Sequence, residues 1–250
     1  MADLTIGLIL PDVLGTYGDD GNALVLRQRA RMRGLDAEIL TVKLGEPVPA
    51  DLDLYCIGGG EDTAQILAAE HLIADRGLIR AAEAGRPVLA ICAGLQILGE
   101  SFRAGGRVVD GVGLLDATTV SLENRAIGEV VASPTGAGIT AELTEPLTGF
   151  ENHLGATLLG PGAEPLGRVS RGVGNCDVAG SADLPDGARQ RSAEGAVQDS
   201  VIATYMHGPV LARNPQLADL LLARATGVGL AELEPLEIAV VDRLRLERLS

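Results

Sequence analysis

The chain has 250 residues, 46% of them apolar, with 33 glycines, no tryptophan and a formal net charge of −14. That composition excludes a disordered chain, and the acidity speaks against nucleic acid or an anionic membrane surface as the main partner. No apolar run approaches the roughly 20 residues of a bilayer span. The amino terminus also lacks the basic flank of a secretory signal.

Three cysteines without pair spacing point to a reducing cytoplasm, with no disulfide framework and no structural metal.

Residues 4–10 read as a fully buried strand. The loop Thr16-Tyr17-Gly18-Asp19-Asp20-Gly21 follows, and Asn22 is placed to cap a helix that ends at Gly34. Residues 37–42 and 53–57 read as two more strands, a βαβ opening that predicts a parallel sheet with right-handed crossovers. Gly58-Gly59-Gly60 closes the third strand, where backbone amides can approach a ligand closely. A helix then runs to about Ala84. The glycine run is not the dinucleotide fingerprint, and the chain has no Walker A sequence.

Pro87 to Ile91 is an apolar run of strand length, suited to burial on both faces of a parallel sheet. Cys92 stands where it ends. The small Ala93 and Gly94 come next, and Leu95, Leu98 and Phe102 continue at helical spacing. A cysteine on such a strand-turn-helix elbow is placed like a nucleophile. The helix start lends it partial positive charge, which favours thiolate, and free amides that can hold an oxyanion. An inert buried cysteine is the plain alternative.

Residues 108–131 read as short strands with glycine turns, including 118–122 and 127–131 on either side of Glu123-Asn124-Arg125. Residues 160–199 read as long loops between short strands. The last strand, 201–205, ends in Met206-His207-Gly208-Pro209, and a helix covers about 215–225. The tail, 236–249, reads as an amphipathic helix with Leu236, Val240, Leu244 and Leu246 toward an apolar surface. Neither a repeat nor a linker divides the chain, so residues 1–250 are expected to form one domain.

A thiol nucleophile needs a base. His71 lies mid-helix and reads as a surface residue, while His153 follows a loop and is the reserve candidate. His207 ends a buried strand on the sheet edge where sites collect, the same edge as Cys92. Cys56 reads as inert core, and Cys176 as a loop residue without a helix start or histidine beside it.

These segments together resemble the class I (triad) glutamine amidotransferases: Cys92-Ala93-Gly94-Leu95-Gln96 after a strand, the separate Gly58-Gly59-Gly60 turn and the late His207. Thr16 to Asn22, Glu123-Asn124-Arg125, Gly149-Phe150-Glu151-Asn152-His153 and Thr204 to Pro209 look closest to the cobyric-acid-synthase-like branch. Within that branch they look closest to the GatD-type glutaminase subunits of lipid II isoglutaminyl synthases.

The resemblance implies a flavodoxin-like three-layer α/β sandwich with a mostly parallel sheet. It implies Cys92 as nucleophile, His207 as general base and acid, Arg125 and Gln96 as substrate-binding residues, and the amides of Gly59 and Ala93 as oxyanion donors. L-Glutamine would be the substrate and a MurT-like, Mur-ligase-family subunit the partner. ATP and magnesium would belong to that partner, with no cofactor in this chain and no membrane insertion.

One departure stands out. Many relatives carry an acid two residues after the histidine to orient it, where this chain has Pro209. The orienting carboxylate is expected from the partner subunit, with Asp19 as the lesser candidate. The rival readings are a corrinoid-amidating glutaminase and a non-catalytic α/β protein that keeps the elbow cysteine for binding or redox sensing.

Overall fold

The first strand, β1 (Leu4–Ile9), is apolar enough to be covered on both sides and sits inside a sheet. The computed structural model describes residues 2–15, 17–182 and 186–249, so Thr16 of the loop motif lies outside the described residues. After β1 come α1 (Gly21–Met32), β2 (Ala37–Val42), β3 (Leu54–Ile57), α2 (Asp62–Asp75), α3 (Gly77–Glu83), β4 (Val88–Ile91) and α4 (Ala93–Leu98).

Much later in the chain come β11 (Ala196–Gln198) and β12 (Val201–Thr204), which complete the central sheet in the order β11-β12-β4-β3-β1-β2. All neighbours are parallel except the β11 edge, which pairs antiparallel with β12. Leaving that edge aside, the order is the flavodoxin-like one, with β12 taking the place of the fifth strand.

The expected α/β architecture is the observed one. Its consequence is positional, because the loops after β1, β3, β4 and β12 all emerge at the same carboxyl edge of the sheet.

Asn22 does not cap α1. Asp20 occupies the cap position, and Asn22 is buried in the first turn. Its amide donates to the Asp19 carbonyl at 3.0 Å and its oxygen accepts the Leu211 N–H at 3.0 Å, tying the loop after β1 to the chain beyond β12.

The single helix expected up to Ala84 is two. Arg76 turns left-handed at φ 60, and Gly77 passes so close to the Val48 carbonyl that a Cβ there would lie 1.9 Å from its oxygen. The α4 helix likewise stops at Leu98, so Phe102 belongs to β5 (Ser101–Ala104) rather than to a continued helix.

Between α4 and β11 the chain builds a second sheet. It contains β5, β6 (Arg107–Asp110), β7 (Ala117–Pro134), β8 (Leu147–Leu159), β9 (Gly167–Arg171) and β10 (Ala193–Glu194). Where short strands were expected, β7 runs for 18 residues and pairs antiparallel with β8, broken by an irregularity between Ser121 and Ala126 that carries Arg125. His153 therefore lies within a strand, paired with Ala126. The stretch 160–199, read as long loops between short strands, contains the short strands β9, β10 and β11 together with the short α5 (Gly187–Arg191), and its Cys176 is buried.

After α6 (Val210–Arg213) and α7 (Pro215–Thr226), the tail forms α8 (Ala239–Leu249) with its inward face one residue out of phase with the expected one. Val240, Leu244 and Leu246 are exposed while Arg245 is buried. The guanidinium donates to the Arg213 carbonyl and the Asn214 side chain at 3.1 and 3.2 Å and to the Pro146 carbonyl, and these acceptors outweigh apolar patterning in orienting the helix. Among the described residues no helix is long and apolar enough to cross a membrane.

Gly58 shows how tightly the edge is built. A Cβ there would stand 2.1 Å from the Leu14 carbonyl oxygen, which is backbone and cannot swing aside. Gly58→Ala is expected to lower stability by about 1–3 kcal/mol through overpacking, read as a shift of the urea midpoint at unchanged slope.

Candidate active site

Cys92 stands at the N-cap of α4 with φ 54 and ψ −103, a positive-φ backbone conformation that L-residues rarely adopt. Small neighbours permit the turn, since a Cβ on Gly94 would press on Ile57, Ala90 and the Gly58 carbonyl at 3.1–3.3 Å. The Cys92 N–H donates to the Thr204 carbonyl at 2.8 Å, which fixes the elbow to the end of β12. Strain of this kind persists only where the surroundings over-determine it, and it concentrates at functional sites.

His207 follows β12 and is held by a two-way backbone bridge to Phe150, with 2.9 and 3.1 Å hydrogen bonds. Its Nδ1 lies 3.0 and 3.1 Å from the two carboxylate oxygens of Asp19, which is itself buried. The lesser of the two expected sources of an orienting acid, Asp19 in the loop after β1, thus meets the ring within this chain. Its pairing with His207 spans 188 positions of sequence. The Gly59 N–H donates to the same carboxylate at 3.0 Å. A Cβ on Gly59 would stand 3.1 Å from Asp19 Oδ2, 3.3 Å from His207 Cε1 and 3.4 Å from Cys92 Cβ, so four loops converge on one point.

Burial alone would lower the pKa of the His207 ring, but the Asp19 hydrogen bond and the proximity of Cys92 overcome it and raise the value to about 10. By geometry, His207 Nε2 is buried without a hydrogen-bond partner among the described residues. Tyr17 covers the ring, with centroids 5.0 Å apart at 53°.

A pocket of about 290 Å³ opens beside the thiol, lined among others by Tyr17, Glu61, Gln65, Gln96, Arg125 and His153. Arg125 is exposed at its rim, where Nη1 donates to Asn152 Oδ1 at 3.1 Å. Gln96 reaches the pocket, yet its amide is engaged on both sides, accepting from Gln65 and donating to the Tyr205 hydroxyl, each at 3.1 Å.

The amide of Ala93 makes no hydrogen bond to a described residue, whereas that of Gly59 is taken by Asp19. Of the two expected oxyanion donors only Ala93 is therefore free in this arrangement, because the carboxylate that aligns His207 also draws in the nearest glycine amide.

His153, the reserve base, stacks on Tyr205 with centroids 3.6 Å apart at 11°, and its Nδ1 bonds to the Gly155 carbonyl at 2.9 Å. His71 sits on α2 against the Glu46 carbonyl, outside the pocket. Cys56 is fully buried, its thiol pushed up to about 12 by burial.

Tyr17, Gln65 and Tyr205 belong to the site without standing out in the sequence. Tyr17 and Tyr205 flank the Asp19 and His207 motifs, which was the one available signal. Gln65 looked like an ordinary helix residue.

The chain matches the family described as the CobB/CobQ-like glutamine amidotransferase domain over residues 5–215. It is 34% identical over 95% of its length, and 90% of the relative's, to the GatD subunit of lipid II isoglutaminyl synthase (glutamine-hydrolyzing) from Staphylococcus aureus (strain N315). The subunit of the same name from Streptococcus pneumoniae (strain ATCC BAA-255 / R6) is 32% identical, covering 89% of this chain and 80% of that one.

A solved glutamine amidotransferase superposes with a TM-score of 0.55 at 20% identity, covering 89% of this chain and 99% of that one, and this likeness bears on the fold. By sequence match over most of its length, together with the shared architecture, the chain belongs to the CobB/CobQ-like glutamine amidotransferases.

Proposed function

We propose that this chain hydrolyses L-glutamine to glutamate and ammonia through a Cys92 thioester. The ammonia goes to a MurT-like, ATP-dependent ligase subunit that amidates the D-glutamate of lipid II in the cytoplasm. The observation that carries the chemistry is the convergence of Cys92, His207 and Asp19 at the sheet edge beside an open pocket. The identity of the acceptor rests on similarity to the GatD subunits.

Cys92 gives its proton to His207, and the sulfur attacks the side-chain amide carbon. The resulting oxyanion is held by the Ala93 amide and a second donor from the Gly58–Gly60 turn. Each such preorganised donor is worth roughly 2.7–4 kcal/mol of barrier. His207 protonates the departing ammonia and then activates the water that clears the thioester. Asp19 keeps the ring in the tautomer that presents Nε2 to the sulfur. The Arg125 fork suits the α-carboxylate, which can take two parallel hydrogen bonds from one guanidinium. ATP and magnesium act in the ligase subunit.

The test is amidation by the reconstituted pair, fed either glutamine or free ammonia. Arg125→Ala is expected to reduce glutamine-driven amidation roughly 10- to 100-fold, as for the loss of a charge-assisted contact, mainly through KM. Ammonia-driven amidation should stay at the wild-type rate. Equal loss on both nitrogen sources, or no glutamine-driven product from the wild-type pair, counts against the proposal.

A further inference from the structure

Beyond its amide, glutamine carries an α-carboxylate and an α-ammonium. An ammonium entering a pocket leaves its water behind and needs acceptors in return. The charged groups lining the pocket are split between its walls: Arg103 and Arg125 come from β5 and the β7 ribbon, Glu61 and Asp62 from the start of α2.

Asp62 is already engaged, its Oδ2 accepting the Gly105 N–H at 2.8 Å. Glu61 stands at the N-cap of α2 yet makes no capping hydrogen bond with its side chain. Its Oε1 accepts the Tyr17 hydroxyl at 3.0 Å, and its Oε2 has no hydrogen bond among the described residues.

One turn onward lies Gln65, whose N–H bonds to the Glu61 carbonyl at 2.9 Å, so both side chains share a helix face that borders the pocket. Gln65 is 6% exposed, and its Nε2 donates to Gln96, yet its Oε1 is buried with no partner among the described residues. A buried acceptor left without a donor is costly, and a ligand that brings the donor removes that cost.

We propose that Glu61 and Gln65 form the subsite for the α-ammonium, with the Tyr17 hydroxyl holding the Glu61 carboxylate at the mouth. This deepens the glutamine reading and rests on it. Glu61 and Gln65 lie across the pocket from Arg103 and Arg125, so a zwitterion is bound by both ends with its amide toward Cys92. A plain carboxamide, or a glutamine whose amine is tied up in a peptide, lacks the charge this wall selects. The helix N-terminus by itself repels a cation. An uncapped glutamate there reverses that preference locally.

The experiment uses the chain assembled with its ligase subunit. It compares L-glutamine with glutaramate, the same amide without the α-amino group. Glu61→Gln keeps shape and can still accept from Tyr17, but removes the charge. It should lower kcat/KM for glutamine roughly 10- to 100-fold, chiefly through KM, and change that for glutaramate less than about twofold. Gln65→Met should narrow the discrimination in the same direction.

An equal fall on both substrates, or undiminished preference for glutamine in Glu61→Gln, overturns the subsite. A wild-type assembly that neither hydrolyses glutamine nor is alkylated at Cys92 by 6-diazo-5-oxo-L-norleucine overturns the glutamine reading, and the subsite with it. The two failures are therefore distinguishable.

Discussion

Replacing Cys92 by alanine is expected to abolish glutamine hydrolysis, a loss on the order of 10⁶-fold as for removal of a nucleophile from a unit that acts together. The elbow makes this a clean test. Alanine accepts the same backbone conformation no worse than cysteine, and the side chain lost is small and packed at a pocket wall. Thermal stability should therefore change little while activity vanishes.

Intact mass after exposure to 6-diazo-5-oxo-L-norleucine provides a second reading: one adduct on the wild type and none on Cys92→Ala. Cys56 and Cys176 are both buried and serve as internal controls. An adduct that persists in Cys92→Ala, or hydrolysis surviving within tenfold, would remove the thiol from the mechanism.

The second large effect belongs to Asp19. Its carboxylate meets both the His207 ring and the Gly59 amide, so Asp19→Asn should disturb tautomer, charge and turn together. A misassigned tautomer in a comparable unit costs about 10⁴ in kcat, and a loss of roughly 10³–10⁴-fold is expected here.

The pH profile separates this role from a merely structural one. Asp19 is a main cause of the rise of His207 to about 10, so without the charge the alkaline limb of kcat/KM should move to lower pH. The same linkage acts on folding. A histidine raised from 6.5 to about 10 contributes stability that is fully present below 6.5 and is lost as pH climbs through 10. The stability gap between wild type and Asp19→Asn should accordingly close at high pH. If the assembled Asp19→Asn enzyme keeps its rate within tenfold, the orienting group comes from the partner subunit after all.

Much of this protein could be read from local pattern. The buried runs at residues 4–10, 88–91 and 201–204 are apolar without alternation, because parallel strands are covered on both faces, and that fixes the fold class. A cysteine between such a strand and two small residues marks the elbow, and a histidine at the end of another marks the same edge.

What stayed hidden depended on distance through the chain. Asp19 and His207 are 188 positions apart, and no local spacing reports their hydrogen bond. The β7–β8 ribbon reads as fragments, because Glu123, Asn124 and Arg125 interrupt the pattern at the irregularity that carries the arginine. The tail went one residue out of phase for a related reason. Apolar periodicity favoured Val240 and Leu244, whereas a buried guanidinium satisfied by three acceptors from distant turns set the face. Local composition is enough to decide which segments are buried and what kind of layer they enter. Which polar groups meet there is decided only when the folded sheet brings its loops together.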